Sequence, residues 1–381
     1  MTWTHRERLL AALAHEQPDR VAIDFASAGA TGITAGAYER LKRHLGVSGE
    51  GEVHRRLGRT VTPAEEVLER FDIDTRGAKP GAPAGGQARE VDRHTVIDEF
   101  GVTWKCSAET DDTPYLHKDG PFHDPATTID DVEAFAWPDP DDPAITAGLA
   151  DRVAGIRASG RAVVLYLAGG VVHRGYAMRG MERFLKDLYK NRELAQRIMQ
   201  KLCDTWVGVA ESALAAAGPE NVDVVFFGED LGTQDGCMFD PEGIYERLIK
   251  PHHRRMAETV LANSKAKICF HCCGSAYHFI DHLIDIGVTA LNPVQVSAAN
   301  MQPERLKAEF GDRLAFWGGI DSQTILPNAS PAEVAAETRR IIEVLGRGGG
   351  YVLNSVHNLQ PEVPPENIVA MFDAGREHRY G

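Results

Sequence analysis

Residues 267–274 have the sequence KICFHCCG, a short apolar run that ends in histidine, cysteine and glycine. Similar apolar runs recur through the second half of the chain, and longer segments of helical periodicity separate them. The strands that this pattern predicts are 162–167, 222–227, 267–271, 290–293, 314–317 and 351–354. The helices that it predicts between them are 181–189, 193–217, 241–264, 276–286, 301–310 and 331–346. Regular alternation of strand and helix indicates βαβ units and a parallel sheet.

Two architectures produce this alternation, a doubly wound sheet and a closed barrel. The glycine-rich fingerprint of a dinucleotide-binding sheet, Gly-x-Gly-x-x-Gly after a strand, does not occur at any of the predicted strands. The glycines at 348–350 precede a strand, where they suit a helix end and a tight turn better than a phosphate cradle. The pattern therefore favours an α/β fold of the (β/α)8 (TIM) barrel type.

The first 145 residues follow a different pattern. We predict one domain over 1–381, with an N-terminal helical and β-hairpin extension in 1–145 and most of the barrel in 146–381. The extension combines elements of several kinds, which are helices at 4–14, 35–45 and 63–71, a strand at 21–25, a Gly/Pro/Ala-rich loop at 77–87, a hairpin at 95–104 and a Pro/Asp-rich connector at 110–145.

The composition excludes several classes of protein. The chain has 381 residues, of which 43% are hydrophobic and 25% charged, and this is ordinary for a globular protein. A net charge of −14 disfavours nucleic acid and anionic membrane surfaces as partners. No signal-peptide core and no run of about 18 apolar residues occurs, so we expect a cytoplasmic location. The 6 cysteines are too few for a disulfide framework.

Polar side chains follow the predicted strands of the second half. In a (β/α)8 barrel the carboxyl ends of the strands form the face that carries catalysis. The candidates at this face are Glu229, Asp230, His271, Cys273, Asn292, Gln295, Asp321 and His357.

A metal site is the strongest hypothesis from these residues. His271 and Cys273 are two positions apart, so on an extended backbone their side chains point to the same side. His357, after the last predicted strand, is the natural third ligand. Three protein ligands and one open position are typical of catalytic zinc, and thiolate with imidazole suits that ion. Cys269 and Cys272 are expected to pack in the core.

The remaining candidates have less specific roles. We expect Glu229 to face the pocket as a catalytic acid or base, or as a fourth ligand. Asp321 is either catalytic or the cap of the next helix. Asn292, Gln295 and Asp230 are predicted to orient the substrate. His252 and His253 lie among basic residues and are expected on a solvated helix face.

With these residues in view, the chain resembles the uroporphyrinogen decarboxylase superfamily along nearly its whole length. The segments that carry the resemblance are Arg6–Leu13, His15–Val21, Gly228–Gln234, Phe316–Asp321 and Pro364–Ile368. The resemblance implies a (β/α)8 barrel with an N-terminal extension. It also implies one of two activities, because the superfamily contains decarboxylases and zinc-dependent methyltransferases that act with corrinoid proteins and thiols.

The two branches are expected to differ at the site. The decarboxylases have an arginine-rich N-terminal segment that holds carboxylates, whereas the corresponding stretch here, Asp24–Gly32, has no arginine. The methyltransferases have a His-x-Cys pair and a later cysteine. His271 and Cys273 match the pair, and His357 stands where the later cysteine usually lies.

The resemblance therefore implies a Zn²⁺-dependent methyltransferase. Its partners would be a small methyl donor or acceptor and a corrinoid (cobalamin) carried on a separate protein, and a homodimer stays open. One alternative is a metal-free decarboxylase of a porphyrinogen-like or other carboxylate. Another is a non-catalytic scaffold barrel, whose polar strand ends would not converge on one pocket.

Overall fold

The computed structural model of the chain describes residues 3–55, 57–84, 88–106 and 114–380. Eight parallel strands form its central sheet, in the order β1-β8-β7-β6-β5-β4-β3-β2. They are β1 (Ala22–Ile23), β2 (Thr75–Ala78), β3 (Ala162–Tyr166), β4 (Val224–Gly228), β5 (Lys267–His271), β6 (Ala290–Asn292), β7 (Ala315–Trp317) and β8 (Tyr351–Leu353). The backbone N–H of Asp74, just before β2, donates to the carbonyl of Ile23 in β1 at 2.9 Å. The sheet is thus a nearly closed barrel, which confirms the predicted fold class.

Side chains alternate between two hydrophobic layers along each strand. Val164, Phe226 and Cys269 pack inside the barrel, whereas their neighbours in sequence pack outward against the helices. This alternation has a period of two, as the strand geometry requires. His271 continues the inward series of Cys269, so β5 delivers the imidazole to the mouth of the barrel.

The N-terminal helix His5–Leu13 closes the end of the barrel at which the strands begin. Thr4 and Glu7 form a capping box at its start. Leu9, Ala12 and Leu13 pack against the interior layer of the barrel. The helix is also tied to the loops that precede two strands, because Arg6 N donates to Gly160 O and Gly350 N donates to Ala12 O.

The opposite end of the barrel carries two antiparallel sheets that belong to the predicted extension. A three-stranded antiparallel sheet pairs Thr60–Thr62 with Ile33–Thr34 and Glu52–Arg55, and Ile33 bridges to Leu359 in the loop after β8. A second antiparallel sheet contains the predicted hairpin, and its strands are Arg89–Asp92, Thr95–Ile97, Thr103–Lys105 and Leu116–Asp119. Arg174, on the helix after β3, forms an ion pair with Asp98 of this hairpin, which fastens the second sheet to the barrel.

Helices surround the barrel and connect its strands. The described α-helices are His5–Leu13, Ala35–Leu45, Glu65–Arg70, Ile129–Ala134, Leu149–Ala158, Val171–Arg179, Met181–Lys190, Arg192–Ala217, Lys250–Asn263, Ile280–Asp285, Pro303–Phe310, Ile325–Asn328, Pro331–Gly346 and Pro365–Glu377, with 3-10 turns at Pro143–Ile145 and Tyr277–Phe279. Among the described residues, no helix combines the length and the apolarity that a membrane crossing requires.

Three predictions about these elements need correction. The loop predicted at 77–87 begins inside β2, and residues 85–87 lie outside the described part of the chain. The connector predicted at 110–145 contains the strand Leu116–Asp119 and the helix Ile129–Ala134, and residues 110–113 also lie outside that part. The single helix predicted at 241–264 is a π-helix, Pro241–Ile249, followed by the α-helix Lys250–Asn263. Pro251 explains this break, because it has no N–H to continue the ladder of hydrogen bonds.

Candidate metal centre

Three side chains from separate parts of the sequence meet at the mouth of the barrel. Ligand atoms of His271, Cys273 and His357 all lie within 4.8 Å of one another. The Cys273 sulfur is 3.3 Å from His271 Nε2, and the two imidazole rings have centroids 5.7 Å apart. All three residues are partly buried. The structure thus brings the three predicted metal ligands together.

Hydrogen bonds orient the His271 ring for metal binding. Its Nδ1 lies 2.8 Å from Asn292 Oδ1, and Asn292 Nδ2 donates to the backbone carbonyl of Trp317 at 3.3 Å. Because the Asn292 oxygen therefore faces His271, Nδ1 carries the proton and the lone pair of Nε2 points toward Cys273. Metal-bound histidines have such a partner on the other ring nitrogen. Asn292 is completely buried, and its side-chain contacts are with His271 and the Trp317 carbonyl, so the structure shows no exposed surface for the predicted contact with substrate.

The backbone at His357 is held in an uncommon conformation. Its φ angle is 64°, in the left-handed region that non-glycine residues seldom adopt. The hydroxyl of Ser355 donates to the His357 carbonyl at 2.7 Å and helps to fix this turn. Such strain persists where the surroundings impose it, and it concentrates at functional sites.

The Cys273 thiol is in a setting that only a cation would make reactive. Burial, and then the negative charge of Asp230, raise the pKa of this thiol well above its usual range. A thiol in such surroundings is protonated and inert. A bound metal ion reverses this preference, because its charge stabilises the thiolate. The donor set therefore fits a metal ion and fits a free nucleophilic cysteine poorly.

Asp230 is the carboxylate that faces the cluster. It accepts a hydrogen bond from the backbone N–H of Cys273 at 2.8 Å, and its Oδ1 is 3.8 Å from His271 Nε2. Its other oxygen is 3.3 Å from His173 Nε2. Burial alone would raise the pKa of Asp230, but the contact with His173 and the nearby His271 hold it well below its usual range. Asp230 therefore stays ionised beside the cluster, and its contact with substrate stays a prediction.

His173 was not among the residues predicted for the site. This residue lies in the first turn of the helix Val171–Arg179, which follows β3, and its side chain is 33% exposed. A signal was available, because His173 follows Gly169 and Gly170 after a predicted strand and so occupies the same end of the barrel as the other candidates.

Glu229 does not face the cluster, contrary to the prediction. It is 1% exposed, and its Oε1 accepts hydrogen bonds from the backbone N–H groups of Val172 at 2.5 Å and His173 at 3.0 Å. Its Oε2 lies 3.1 Å from His253 Nε2. The carboxylate therefore caps the helix Val171–Arg179 and stabilises its positive end. Oε1 serves this cap and Oε2 contacts His253, so the hydrogen bonds of Glu229 are directed away from the cluster.

The histidine pair expected on a solvated face is buried instead. His253 is completely buried between Glu229 and the Tyr245 hydroxyl, which is 3.2 Å from its Nδ1. His252 faces the other way and lies 3.0 Å from Gln196 Oε1. Burial, together with the adjacent His253, lowers the pKa of His252 to about 4.

Two further candidates are occupied by structural roles. The Asp321 carboxylate accepts hydrogen bonds from the backbone N–H groups of Gln323 and Thr324, so it acts as the cap that was the alternative to catalysis. Gln295 accepts from Gly274 N at 2.7 Å and donates to Gln234 at 2.9 Å. It therefore braces the backbone next to Cys273 rather than orienting a substrate.

The two other cysteines of the 269–273 stretch are core residues, as predicted. Cys269 packs inside the barrel and Cys272 packs in the layer between barrel and helices. The Leu231 N–H approaches the Cys272 sulfur at 3.3 Å.

Comparison with known proteins identifies the relatives of this chain. The family model described as uroporphyrinogen decarboxylase (URO-D) matches residues 94–378. The uroporphyrinogen decarboxylase of Methylococcus capsulatus is 25% identical over 272 residues, which cover 69% of this chain and 73% of that protein. A Pseudomonas aeruginosa protein of the same name is 24% identical over 275 residues, with 68% and 71% covered.

Among solved structures, a methyltransferase from Methanosarcina mazei covers 99% of both chains. Its TM-score is 0.64 and its sequence identity is 16%. At this identity the likeness concerns the fold, and it includes the extension as well as the barrel.

Proposed function

The chain belongs to the uroporphyrinogen decarboxylase family, and from that premise we propose that it is a zinc-dependent methyltransferase. It would move a methyl group between a small O-, N- or S-methyl compound, or a thiol, and a corrinoid carried on a separate protein. The observation that carries the proposal is the convergence of His271, Cys273 and His357 within 4.8 Å at the mouth of the barrel.

The donor set supports zinc in particular. One thiolate and two imidazoles are ligand types that Zn²⁺ accepts, and three protein ligands leave a position for a substrate atom. Bound zinc would supply Lewis acidity, which polarises the heteroatom of a methyl donor or lowers the pKa of a thiol.

The residues around the cluster would orient the substrate and move its proton. Asp230 is ionised and holds the backbone of Cys273, so it can also fix the position of His173. We assign to the His173 imidazole, whose Nε2 is held by Asp230, the proton that a substrate heteroatom gains or loses when its methyl group is transferred. This role replaces the one that the sequence suggested for Glu229.

A metal-free decarboxylase is the competing function, and the names of the curated relatives favour it. Such an enzyme must hold several substrate carboxylates with cations. The stretch Asp24–Gly32 provides no arginine, and its residues are buried. A thiol and two imidazoles directed at one point have no evident task in decarboxylation, so the methyltransferase is the better supported function.

Metal content of the purified chain tests the proposal. We expect one zinc ion per chain in the wild type, and its loss in Cys273→Ala and in His357→Ala. Cys272→Ala is the matched control, because this neighbouring thiol is buried in the core and should leave the zinc in place. A wild-type chain that contains no zinc, even after reconstitution, would refute the methyltransferase and favour the decarboxylase.

Methyl transfer itself is then measured with reduced cobalamin as the acceptor. Formation of methylcobalamin is followed by absorbance with candidate O-, N- and S-methyl compounds. Zinc-dependent methylation by at least one class is the expected result.

A further inference from the structure

Asp24 is a buried carboxylate that the proposed function does not use. It lies just after β1 inside the barrel and has no exposed surface. Its Oδ1 accepts a hydrogen bond from the Thr75 hydroxyl at 2.5 Å, and its Oδ2 accepts one from the indole N–H of Trp317 at 3.0 Å. The Asn354 amide donates to the Asp24 backbone carbonyl at 2.7 Å and lies 3.3 Å from Oδ2. Burying a carboxylate inside a barrel costs free energy unless hydrogen bonds compensate for the lost water. The side chains that supply these hydrogen bonds to Asp24 are therefore held firmly in place.

One of these contacts leads to the first histidine of the metal centre. Trp317 is completely buried beneath the cluster, where its ring packs against Phe226. The backbone carbonyl of Trp317 accepts the hydrogen bond from Asn292 that fixes the direction of that side chain. Asn292 in turn accepts the Nδ1 proton of His271. The indole bond to Asp24 thus holds the residue on which the orientation of His271 depends.

The other contact leads to the second histidine. Asn354 begins the loop that carries His357, and its amide is fixed by Asp24 and by the Thr31 carbonyl at 3.2 Å. Asn354 directly precedes Ser355, whose hydroxyl donates to the His357 carbonyl at 2.7 Å. The left-handed turn at His357 is therefore built on an asparagine that Asp24 anchors.

We propose that Asp24 is a positioning residue that holds both histidines of the metal centre through Trp317 and Asn354. The inference rests on the proposed zinc site. In addition, Asp24 would set the position of His271, which lies on β5, relative to His357, which lies in the loop after β8. Partners outside the ligand shell commonly change metal affinity by about 10- to 100-fold when they are removed.

Zinc affinity, measured by competition with a chromogenic chelator, tests this role. Asp24→Ala is expected to bind zinc about 10- to 100-fold more weakly than the wild type. Asp24→Asn should lose less than about tenfold, since an amide oxygen can accept from Trp317 and Asn354 while its N–H donates to Thr75. The visible spectrum of the Co²⁺-loaded protein should shift in Asp24→Ala and stay close to the wild type in Asp24→Asn.

Asp223 offers the matched control for a purely structural effect. It is also a buried carboxylate, but it lies before β4 at the opposite end of the barrel, where it binds Arg6 and the backbone N–H of Val163. Asp223→Ala should lower the free energy of unfolding and leave zinc affinity and the Co²⁺ spectrum unchanged. If Asp24→Ala does not fold, Trp317→Phe replaces it as the test. This variant keeps an aromatic ring but removes the indole N–H that binds Asp24. A weaker affinity of Trp317→Phe for zinc supports the proposal.

The outcomes separate this inference from the proposed function. A wild-type chain that takes up no zinc overturns both. A wild type that binds zinc, with unchanged affinity and Co²⁺ spectrum in folded Asp24→Ala or, failing that, in Trp317→Phe, overturns the role of Asp24 alone.

Discussion

Gly170 lies against the Glu229 carboxylate, and replacing it with alanine is a sharp test of the helix-capping role of Glu229. A Cβ atom at this position would come well under 3.0 Å from the Glu229 side chain. The φ angle of Gly170 is −165°, which alanine adopts readily, so the effect of Gly170→Ala is steric. Glu229 is completely enclosed and would have to leave its place.

The cost follows from the contacts that this displacement breaks. Glu229 accepts hydrogen bonds from the N–H groups of Val172 and His173, and each bond to a charged group contributes about 1.5–3 kcal/mol. We therefore expect Gly170→Ala to lower the free energy of unfolding by about 3–6 kcal/mol, as measured by denaturant titration followed by circular dichroism. Gly155→Ala is the control, because nothing lies within 4 Å of its Cβ in a helix, and it should stabilise the protein by about 0.5–1 kcal/mol.

A double-mutant cycle identifies the cause. Glu229→Ala removes the atoms that the new methyl group meets, so Gly170→Ala should cost much less in that background than in the wild type. If Gly170→Ala is as stable as the wild type, or if the two changes are strictly additive, the steric argument is refuted.

Other predictions concern zinc affinity and pH. Asn292→Ala removes the partner of His271 Nδ1 and should weaken zinc binding by about 10- to 100-fold in chelator competition. Asp74→Asn removes the buried carboxylate that pairs with both Arg8 and Arg20, leaves them only the half-exposed Asp19 and Asp72, and should cost about 3–5 kcal/mol in denaturant unfolding. Burial alone would raise the pKa of Asp74, but His5, Arg20 and Arg8 hold it below its ordinary value. Its stabilising contribution is therefore complete above about pH 4 and is lost as the pH falls further, a loss that pH-dependent melting should show in the wild type and not in Asp74→Asn. The pKa of His252, lowered by burial to about 4, lies below its value of about 6.5 in an unfolded chain, so the unfolded state gains the proton first and stability should fall between these values. His252→Gln should flatten that part of the melting profile.

The barrel strands of the second half were predictable because their apolar runs are buried on both faces and are separated by helices. β2 was not. Its sequence, Thr75-Arg-Gly-Ala78, has no apolar run, and Lys79 and Pro80 follow it directly. It is a strand because it pairs with β3, from Thr75 beside Ala162 to Ala78 beside Leu165. Gly77 is required by its neighbours, since a Cβ there would strike the Ser27 carbonyl. Tertiary pairing decides such a segment, and local sequence does not contain that information.

The candidate site was predictable from the period of two along the strands. His271 follows the inward parity of Cys269 within β5, and Cys273 keeps that parity although it lies just past the last residue of β5. Phe226 packs inside the barrel, so the same period, extended past Gly228, directs Asp230 to the cluster and Glu229 toward the helix after β3. The choice of Glu229 for the pocket was therefore an error that the sequence itself could have prevented.

His253 is a second error for which the sequence contained the signal. Its basic neighbours suggested a solvated face, yet His253 is in phase with Met256, Ala257 and Val260, which are buried on the inner side of the same helix. A histidine on the apolar face of a helix needs a polar partner inside the protein. The partner of His253 is Glu229, the carboxylate after β4 that is directed away from the cluster. His253 and Glu229 therefore stabilise each other's burial, because each supplies the polar partner that the other needs inside the protein. Once Glu229 is committed in this way, Asp230 is the carboxylate left beside the cluster. The position of Asp230 beside the cluster is thus linked to a histidine on the α-helix Lys250–Asn263, which leads into β5.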